Sequence, residues 1–430
     1  MSYQSQYEAF IFESYDYDEA THTARFNYGF DGQHHFSETA VFDEQSQVGQ
    51  NGTVLESALK LAFYVVGTSY YKAFPTKKVV FKGAQPDAWQ AQFLQKVYTE
   101  GLSQFLFENN LALEDVAVFA GEGVYHTAAS YQGRGIVALQ SGGKDSLLLA
   151  TLLREKKHDF TPLYVSSGQA HPQVLDTLGA PLRTIQRNID RDALIQAKAD
   201  GGLNGHVPVT YIVEAYALID AMLHGQNTVL TAIGQEGEEP HEHIGQMPVN
   251  HQWSKTWQAE QLLSEYIQAY ISADVRVGSP LRGFSELRIA ELFTEHAWDQ
   301  FGHTFSSCNR ANYQQGKDNS QLQWCGECPK CANSYLLFAP FIEPEQLQAL
   351  FGGQDLFAKP SLKETFEGLL GIDGVMKPFE CVGEIAELRM AYHMARAKNP
   401  SYALPFKIPQ DSFDYQQLGD YQQWAYELLG

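Results

Sequence analysis

The pattern of apolar and polar positions along the chain changes near residue 134. Residues 1 to about 45 alternate apolar and polar side chains between turn residues, a pattern typical of antiparallel strands. A helix over 55–66, a strand over 78–81 and a helix over 89–109 are predicted next. Residues 1–133 are therefore predicted to form an N-terminal mixed α+β lobe.

From residue 134 onward, short apolar strands alternate with helices, which is typical of a parallel sheet covered on both faces. Strands are predicted over 136–140, 162–165, 182–186, 228–233 and 275–277. Helices are predicted after the first strand to about residue 157, up to residue 224, and over 257–271 and 285–298. Residues 134–344 are predicted to form this α/β domain. Residues 345–430 are predicted to be a helical C-terminal region, with helices over 387–397 and 415–429.

The first of these strands leads directly into a glycine-containing loop and a helix. The loop consists of Ser141, Gly142, Gly143, Lys144, Asp145 and Ser146. Two glycines allow a sharp turn that presents backbone N–H groups at a helix N-terminus, where anions bind. Lys144 adds an exposed positive charge, and Asp145 can hold a magnesium ion that bridges phosphate oxygens. The loop is therefore predicted to bind phosphate, although its spacing differs from that of the Walker A loop.

Two other stretches carry residues suited to binding. Tyr70, Tyr71 and Lys72 follow the first predicted helix, and they either recognise a sugar or phosphate or pack at the helix end. A long polar loop over 234–255 follows the fourth parallel strand, and loops of this length are usually functional or disordered. Its acidic part, residues 237–243, is predicted to be a solvated surface. Its later part, VNHQWSK at 249–255, contains the apolar residues of an ordered segment.

Four cysteines are candidate metal ligands. Cys325, Cys328 and Cys331 are spaced C-x-x-C-x-x-C, and Cys308 lies upstream. Four thiolates can enclose a tetrahedral zinc ion without an open position, so the predicted role is structural, attaching residues 305–324 to the sheet. An iron–sulfur cluster is the alternative, and unligated cysteines remain a third reading. Cys381 stands apart, as a structural thiol, an alternative ligand or an acid–base group.

Composition narrows the class of protein. The chain has 430 residues, 44% of them hydrophobic, which fits two or three globular domains. Its 51 acidic against 30 basic residues give a net charge of −21, which argues against a nucleic-acid partner. No signal peptide and no apolar run of membrane-spanning length is apparent. Five cysteines, three of them closely spaced, suit metal binding in a reducing cytoplasm, where we expect the protein to act.

The SGGKDS loop resembles the signature of the N-type ATP pyrophosphatases. Along nearly its whole length, the chain resembles the ATP-dependent UDP-N-acetylmuramoyl-L-alanyl-L-glutamate epimerases of peptidoglycan synthesis. Besides the loop, the matching stretches are GTSYYKA at 67–73, NGHVPVT at 204–210, VNHQWSK at 249–255, SPLRGFSELRIAELF at 279–293, CGECPKCANSYLLFAPF at 325–341 and KPFECVGE at 377–384. The charged insert GEEPHEH departs from the family pattern, which puts a role for His241 and His243 in doubt.

The resemblance implies an α/β fold whose central parallel sheet is of the PP-loop type, related to the adenine nucleotide α-hydrolases. It implies that ATP and Mg²⁺ bind at the SGGKDS loop, with Ser166 after the second strand along the adenine. It also implies that the terminal L-Glu of UDP-MurNAc-L-Ala-L-Glu is adenylated on its carboxylate and inverted to D-Glu, with release of AMP and pyrophosphate. The carboxylate must be neutralised because deprotonating Cα beside an anion is very unfavourable.

Inversion at Cα requires a base and an acid with pKa values near neutrality. The candidates, chosen because they titrate and lie in matching stretches, are His251, Lys255 and Cys381. Lys255 is assigned to the phosphate oxygens, and His251 or Cys381 to the proton; Glu236, His206 and Glu286 are the next candidates. Two alternative functions stay open: a 7-cyano-7-deazaguanine-synthase-like or tRNA-modifying enzyme with the same loop, and a nucleotide-sensing protein without turnover.

Overall fold

Nine strands form one sheet in the part of the chain that the computed structural model describes, residues 3–43, 52–167, 170–314 and 320–430. The N-terminal strands are β1 (Ala9–Asp18), β2 (Thr23–Phe30), β3 (His34–Val41) and β4 (Lys78–Phe81). The later ones are β5 (Ile136–Leu139), β6 (Phe160–Ser166), β7 (Arg183–Asn188), β8 (Thr228–Leu230), β9 (Glu242–Ile244), β10 (Met247–Val249) and β11 (Arg276–Gly278). The order across the sheet is β11-β8-β5-β6-β7-β3-β2-β1-β4, and β9 and β10 form a separate hairpin.

The sheet is mostly parallel. Strands β11, β8, β5, β6 and β7 run parallel to their neighbours, while β7–β3, β3–β2 and β2–β1 are antiparallel pairs. The predicted antiparallel strands at the N-terminus and the five predicted parallel strands are thus confirmed. The predicted regions 1–133, 134–344 and 345–430 stay a prediction, and the sheet is continuous across residue 133.

Fifteen helices are defined in the described ranges. They are α1 (Gly52–Val66), α2 (Thr68–Tyr71), α3 (Ala88–Thr99), α4 (Ser103–Glu108), α5 (Lys144–Glu155), α6 (Arg191–Ala199), α7 (Val209–Leu223), α8 (Trp257–Tyr270), α9 (Glu286–His296), α10 (Trp298–Phe301), α11 (Pro329–Phe338), α12 (Pro344–Leu350), α13 (Lys363–Leu369), α14 (Ile385–Lys398) and α15 (Gln423–Tyr426). Helices α1, α3, α7 and α8 pack on one face of the sheet, and α5, α9, α11 and α14 on the other. None of them is long and apolar enough to cross a membrane.

Side chains of the central strand show how the two faces are filled. Val137 belongs to the hydrophobic cluster on the first face, and Ala138 to the cluster on the second. Both are fully buried, because successive residues of a strand point to opposite sides. This explains why the strand is apolar at consecutive positions, as in other sheets covered on both faces.

The predicted lengths of two helices are wrong. The helix predicted over 89–109 is divided into α3 and α4 near Gly101, because glycine disfavours the helical conformation. A side chain at Gly101 would also meet the carbonyl oxygen of Val97 at 2.4 Å. The helix predicted over 415–429 is reduced to α15 and a short 3₁₀ turn. Its first part instead crosses the sheet edge, where the N–H of Gly419 donates to the carbonyl of Gly283 at 2.9 Å.

A buried ion pair joins the N-terminal strands to the parallel part of the sheet. Arg187 on β7 donates to Glu38 on β3 at 2.6 and 3.2 Å, and Glu38 has no exposed surface. The hydroxyls of Tyr70 and Tyr216 also donate to Glu38. A buried charge is tolerated only when its hydrogen-bonding capacity is satisfied, and here four donors meet one carboxylate. Tyr70 and Tyr71 are fully buried, which confirms packing as their role.

Candidate functional site

The SGGKDS loop lies at the point where the direction of the strand order reverses. It follows β5, whose neighbours β6 and β8 come later in the chain and lie on opposite sides of it. Ligands of open α/β sheets bind outside the carboxyl ends of the strands at such a point. Ser166 is the last residue of the adjacent β6, as predicted. Gly168, two residues later, lies outside the described residues.

The backbone of the loop suits an anion. Gly142 has a φ of +80°, a conformation that favours glycine, and a Cβ there would displace the side chain of Leu322. Helix α5 begins at Lys144 and has no side-chain cap. The N–H groups of its first turn are therefore available to oxygen atoms of a ligand. The hydroxyls of Ser141 and Ser146 lie 3.3 Å apart beside it.

Lys144 is buried, which contradicts the expectation of an exposed side chain. Its exposed fraction is 6%, and its Nζ lies 2.6 Å from both Asp145 Oδ1 and Glu286 Oε2. The sequence pattern placed Glu286 in the first turn of α9, and α9 packs against α5. Burial raises the pKa of Glu286 to about 8, although Lys144 opposes the shift. Glu286 Oε1 is buried without a hydrogen-bond partner among the described residues.

A second lysine faces the loop from the segment after β8. Lys255 Nζ lies 2.6 Å from Glu236 Oε1. Burial lowers the pKa of Lys255, but the charges of Cys381, Glu236 and Asp145 outweigh burial and raise it. Burial alone would raise the pKa of Glu236, and Lys255 and Lys144 hold it below its ordinary value. The two lysines and their carboxylates are therefore close enough to act on one another.

Cys381 lies close enough to Lys255 and His251 for both to act on its thiol. Burial raises the pKa of the thiol, but Lys255, Lys330 and His251 together lower it to about 6. At neutral pH this cysteine is consequently a thiolate, the form that accepts a proton. The structure therefore brings together His251, Lys255 and Cys381, which sequence reasoning had selected separately.

The orientation of His251 is fixed by a glutamine that the sequence gave no reason to select. Gln104 on α4 donates from Nε2 to Glu108 Oε1 at 2.8 Å, which turns its Oε1 toward His251 Nδ1 at 2.6 Å. Because an amide oxygen only accepts, Nδ1 must carry the proton. The other ring nitrogen, Nε2, is then the unprotonated one in the neutral ring. No charge or motif marks Gln104 in the sequence.

Two further histidines surround His251. The His206 ring lies 4.3 Å from it, and the His241 ring 6.3 Å, between centroids. Burial, followed by the charges of neighbouring cations, lowers the pKa of His206 well below its ordinary value and that of His241 to about 3. Both nitrogens of His241 lack a hydrogen bond of ordinary geometry, although backbone carbonyls of residues 378 and 380 face the ring. Both rings are neutral near pH 7.

The acidic segment 237–243 is only partly the solvated surface that the sequence predicted. Glu239 accepts from Lys377 Nζ at 2.8 Å, and His241 is buried and stacks on Phe379, with ring centroids 5.1 Å apart. The prediction is wrong for these residues because the segment packs against the stretch that carries Cys381. Glu242 and His243, which begin β9, are exposed as predicted.

The four cysteines predicted as metal ligands form one cluster. The Sγ atoms of Cys308, Cys325, Cys328 and Cys331 all lie within 4.8 Å of one another. The closest pairs are 3.5 to 3.7 Å apart. A tetrahedral zinc with Zn–S bonds of about 2.3 Å requires sulfurs about 3.8 Å apart, so the spacing fits a metal ion.

Local backbone structure arranges these sulfurs. Gly326 has a φ of +66°, which forms the tight turn between the first two cysteines. Helix α11 then begins after Cys328 and places Cys331 in its first turn. Backbone N–H groups of Gly326 and Glu327 donate to Cys331 and Cys325 at 3.3 and 3.4 Å. These donors favour the thiolate form, which is the form that binds metal.

A separate cleft of about 840 Å³ lies at the other edge of the sheet. It is lined by side chains of β1, α1, the segment after β4 and α8, including Tyr15, Lys60, Lys82, Tyr266 and Tyr270. Strand β1 runs opposite to β5, so its later residues lie far from the carboxyl end of β5. None of the candidate site residues lines this cleft.

Comparisons with known proteins agree over most of the chain. The MurL N-terminal domain family matches residues 1–279, and the MurL C-terminal domain family matches residues 304–405. A UDP-N-acetyl-alpha-D-muramoyl-L-alanyl-L-glutamate epimerase of Xanthomonas oryzae pv. oryzae is 34% identical over 345 residues, 80% of this chain and 75% of the relative. Epimerases of the same name from Micromonospora sp. and Salinispora tropica are 34% identical over 388 and 391 residues, each 88% of this chain and 85% and 83% of the relatives. The chain therefore belongs to the MurL family of UDP-N-acetyl-alpha-D-muramoyl-L-alanyl-L-glutamate epimerases.

Proposed function

We propose that this chain inverts the terminal L-Glu of UDP-MurNAc-L-Ala-L-Glu to D-Glu in the cytoplasm, with ATP split to AMP and pyrophosphate. One observation carries the proposal: His251, Lys255 and Cys381 meet beside the loop that contains Lys144 and Asp145. A pyrophosphatase loop and a set of proton-transfer groups are both required by an epimerase that first activates a carboxylate. The family to which the chain belongs supports the same reaction.

The first step is activation of the carboxylate. An oxygen of the glutamate α-carboxylate attacks the α-phosphorus of ATP, and the bond from that phosphorus to pyrophosphate breaks. The free N–H groups at the start of α5, together with Lys144, bind the departing pyrophosphate. Asp145 would hold Mg²⁺, which would neutralise phosphate charge. Lys255 stabilises the oxygens of the new acyl phosphate.

The second step is proton transfer at Cα. The Cys381 thiolate removes the proton from Cα, whose acidity is raised because the neighbouring carboxyl group is now neutral. His251, which acts electrostatically on Cys381 and is oriented by Gln104, supports this proton transfer. A proton returns to the opposite face, and water then cleaves the acyl phosphate to release AMP. Cys308, Cys325, Cys328 and Cys331 would hold a structural zinc that takes no part in this chemistry.

An assay in deuterated water tests this sequence of steps. With ATP, Mg²⁺ and the L-Glu substrate, we expect AMP, pyrophosphate and a D-Glu product that carries deuterium at Cα. The Cys381→Ala variant should still release AMP, but its deuterium incorporation at Cα should fall about a hundredfold, because it lacks the base. The products are measured by chromatography and mass spectrometry.

His243→Ala is the matched control for His251→Ala, since both histidines lie in the 234–255 segment but His243 is exposed. The His243→Ala control should keep both AMP release and deuterium incorporation at Cα, and Lys255→Met should lose both. Release of ADP and phosphate by the wild type would contradict the proposal. Unchanged deuterium incorporation in the Cys381 and His251 variants would remove them as proton-transfer groups.

The titration of Cys381 gives a second prediction. Because a thiol accepts a proton only as thiolate, wild-type deuterium incorporation should rise with pH around a midpoint near 6, the pKa of Cys381. The rate of its alkylation by iodoacetamide, located by mass spectrometry, should follow the same curve. In Lys255→Met, the alkylation midpoint should move upward toward the ordinary thiol value of about 8.5. A midpoint that does not move would show that Lys255 does not act on Cys381.

A further inference from the structure

Lys72 is a desolvated lysine that lacks a counter-ion. Lys144, Lys255 and Lys377 each lie within 2.8 Å of a carboxylate oxygen. Lys72 has no carboxylate at ion-pair distance in the described ranges, and its Nζ donates to the backbone carbonyl of Gly205 at 2.9 Å. Burial and the charge of Arg187 lower its pKa to about 8. A cation in this position is stabilised when an anion joins it.

The lysine lies next to the proton-transfer groups. Gly205, which accepts its hydrogen bond, precedes His206, and the His206 ring lies 4.3 Å from His251. His251 in turn acts electrostatically on Cys381. The charge of Lys72 also acts on His206. Lys72 and His206 therefore lie on the side of His251 that is close enough to influence the proton-transfer groups.

The substrate of the proposed function carries a second anion close to the reacting carbon. Its terminal glutamate has two carboxylates, and activation neutralises only the one bonded to Cα. The oxygens of the side-chain carboxylate lie about 5 Å from Cα when the side chain is extended. That group must leave water when the glutamate reaches Cys381, so it requires a cationic or N–H partner at about this distance.

We propose that Lys72, assisted by an N–H of His206, binds the side-chain carboxylate of the terminal glutamate and thereby selects glutamate over glutamine. The inference rests on the proposed function, because it names the group that holds its substrate. The ammonium group and the neutral imidazole would replace the water lost by the carboxylate. The same contact would hold Cα in place while its proton is exchanged.

The test compares substrates that end in L-Glu and in L-Gln, which have nearly the same shape but differ in charge. For the wild type, kcat/KM should be about 10- to 100-fold lower with the glutamine substrate, both for AMP release and for deuterium incorporation at Cα. Lys72→Met should lower the glutamate value to a similar level and leave the glutamine value nearly unchanged. Lys72→Arg should restore part of the preference. A Lys72→Met variant that keeps the wild-type preference overturns the inference.

Binding without ATP separates this inference from the proposed function. Calorimetry with the two substrates measures the preference directly, whether or not the protein turns them over. If the wild type prefers glutamate through Lys72 but releases no AMP, the proposed reaction fails and the subsite stands. Lys60→Met is the matched control. Lys60 is also partly buried and forms no ion pair with a described residue, but it lines the distant cleft. Loss of the preference in that variant would indicate a general effect of removing a lysine and overturn the subsite.

Discussion

Replacement of Lys144 by Met is expected to reduce AMP formation by about a thousandfold or more, because it removes the charge that stabilises the departing pyrophosphate. Lys144 lies between Asp145 and Glu286, so its side chain can move to phosphate without leaving the loop. The loss should appear in single-turnover AMP formation, and the KM for the peptide substrate should change little.

The buried position of Lys144 requires a second variant. Without the lysine, Glu286 would remain buried beside Asp145 with less compensation, so Lys144→Met alone is expected to lose stability. Combining it with Glu286→Gln replaces the buried carboxyl group by an amide that cannot ionise. The double variant should unfold near the wild-type denaturant midpoint and still lack AMP formation. A double variant that releases AMP within a few-fold of the wild type would exclude this loop as the ATP site.

Loss of the metal cluster is the second large effect that we expect. Replacing Cys328 by Ser should remove the bound metal and lower the free energy of unfolding by about 4 kcal/mol or more, since a structural metal contributes its binding energy to folding. Dialysis against a chelator should destabilise the wild type in the same way. Elemental analysis and denaturant unfolding are the measurements, and one zinc per chain is the expected content.

Cys381→Ser provides the control, because it changes the same type of residue outside the cluster. Its metal content and stability should equal those of the wild type. Iron with visible absorbance in the wild type would favour an iron–sulfur cluster in place of zinc. If Cys328→Ser retains both its metal and its stability, the four cysteines do not form a metal site.

Much of this molecule could be predicted from the sequence because its signals are local. The strand before Ser141, the turn at Gly142 and the helix after Gly143 are each encoded by neighbouring residues. The spacing of Cys325, Cys328 and Cys331 likewise fixes a turn followed by a helix start. In such cases periodicity and turn residues agree, and the prediction of the element is reliable.

The features that could not be predicted depend on partners distant in the chain. The burial of Lys144 depends on Glu286, which is 142 residues away. The order in the acidic segment depends on Lys377, 138 residues from Glu239. Glutamine is a residue type common on protein surfaces, and only the hydrogen bond of Gln104 to His251 assigns it a role. Local patterns contain no information about such pairs, since they arise only when the sheet assembles.

The continuous sheet also determines the order in which the chain can fold. Strand β3 pairs with β2 on one side and with β7 on the other. Glu38 of β3 and Arg187 of β7, which form an ion pair, are 149 residues apart in the chain. During synthesis, β1 to β3 emerge early, but β3 presents an open edge until β7 has left the ribosome. Glu38 is then a charged residue on an unprotected strand, and charges of this kind discourage pairing with other chains. The carboxylate that later anchors Arg187 can thus protect the nascent lobe from aggregation before its partner exists.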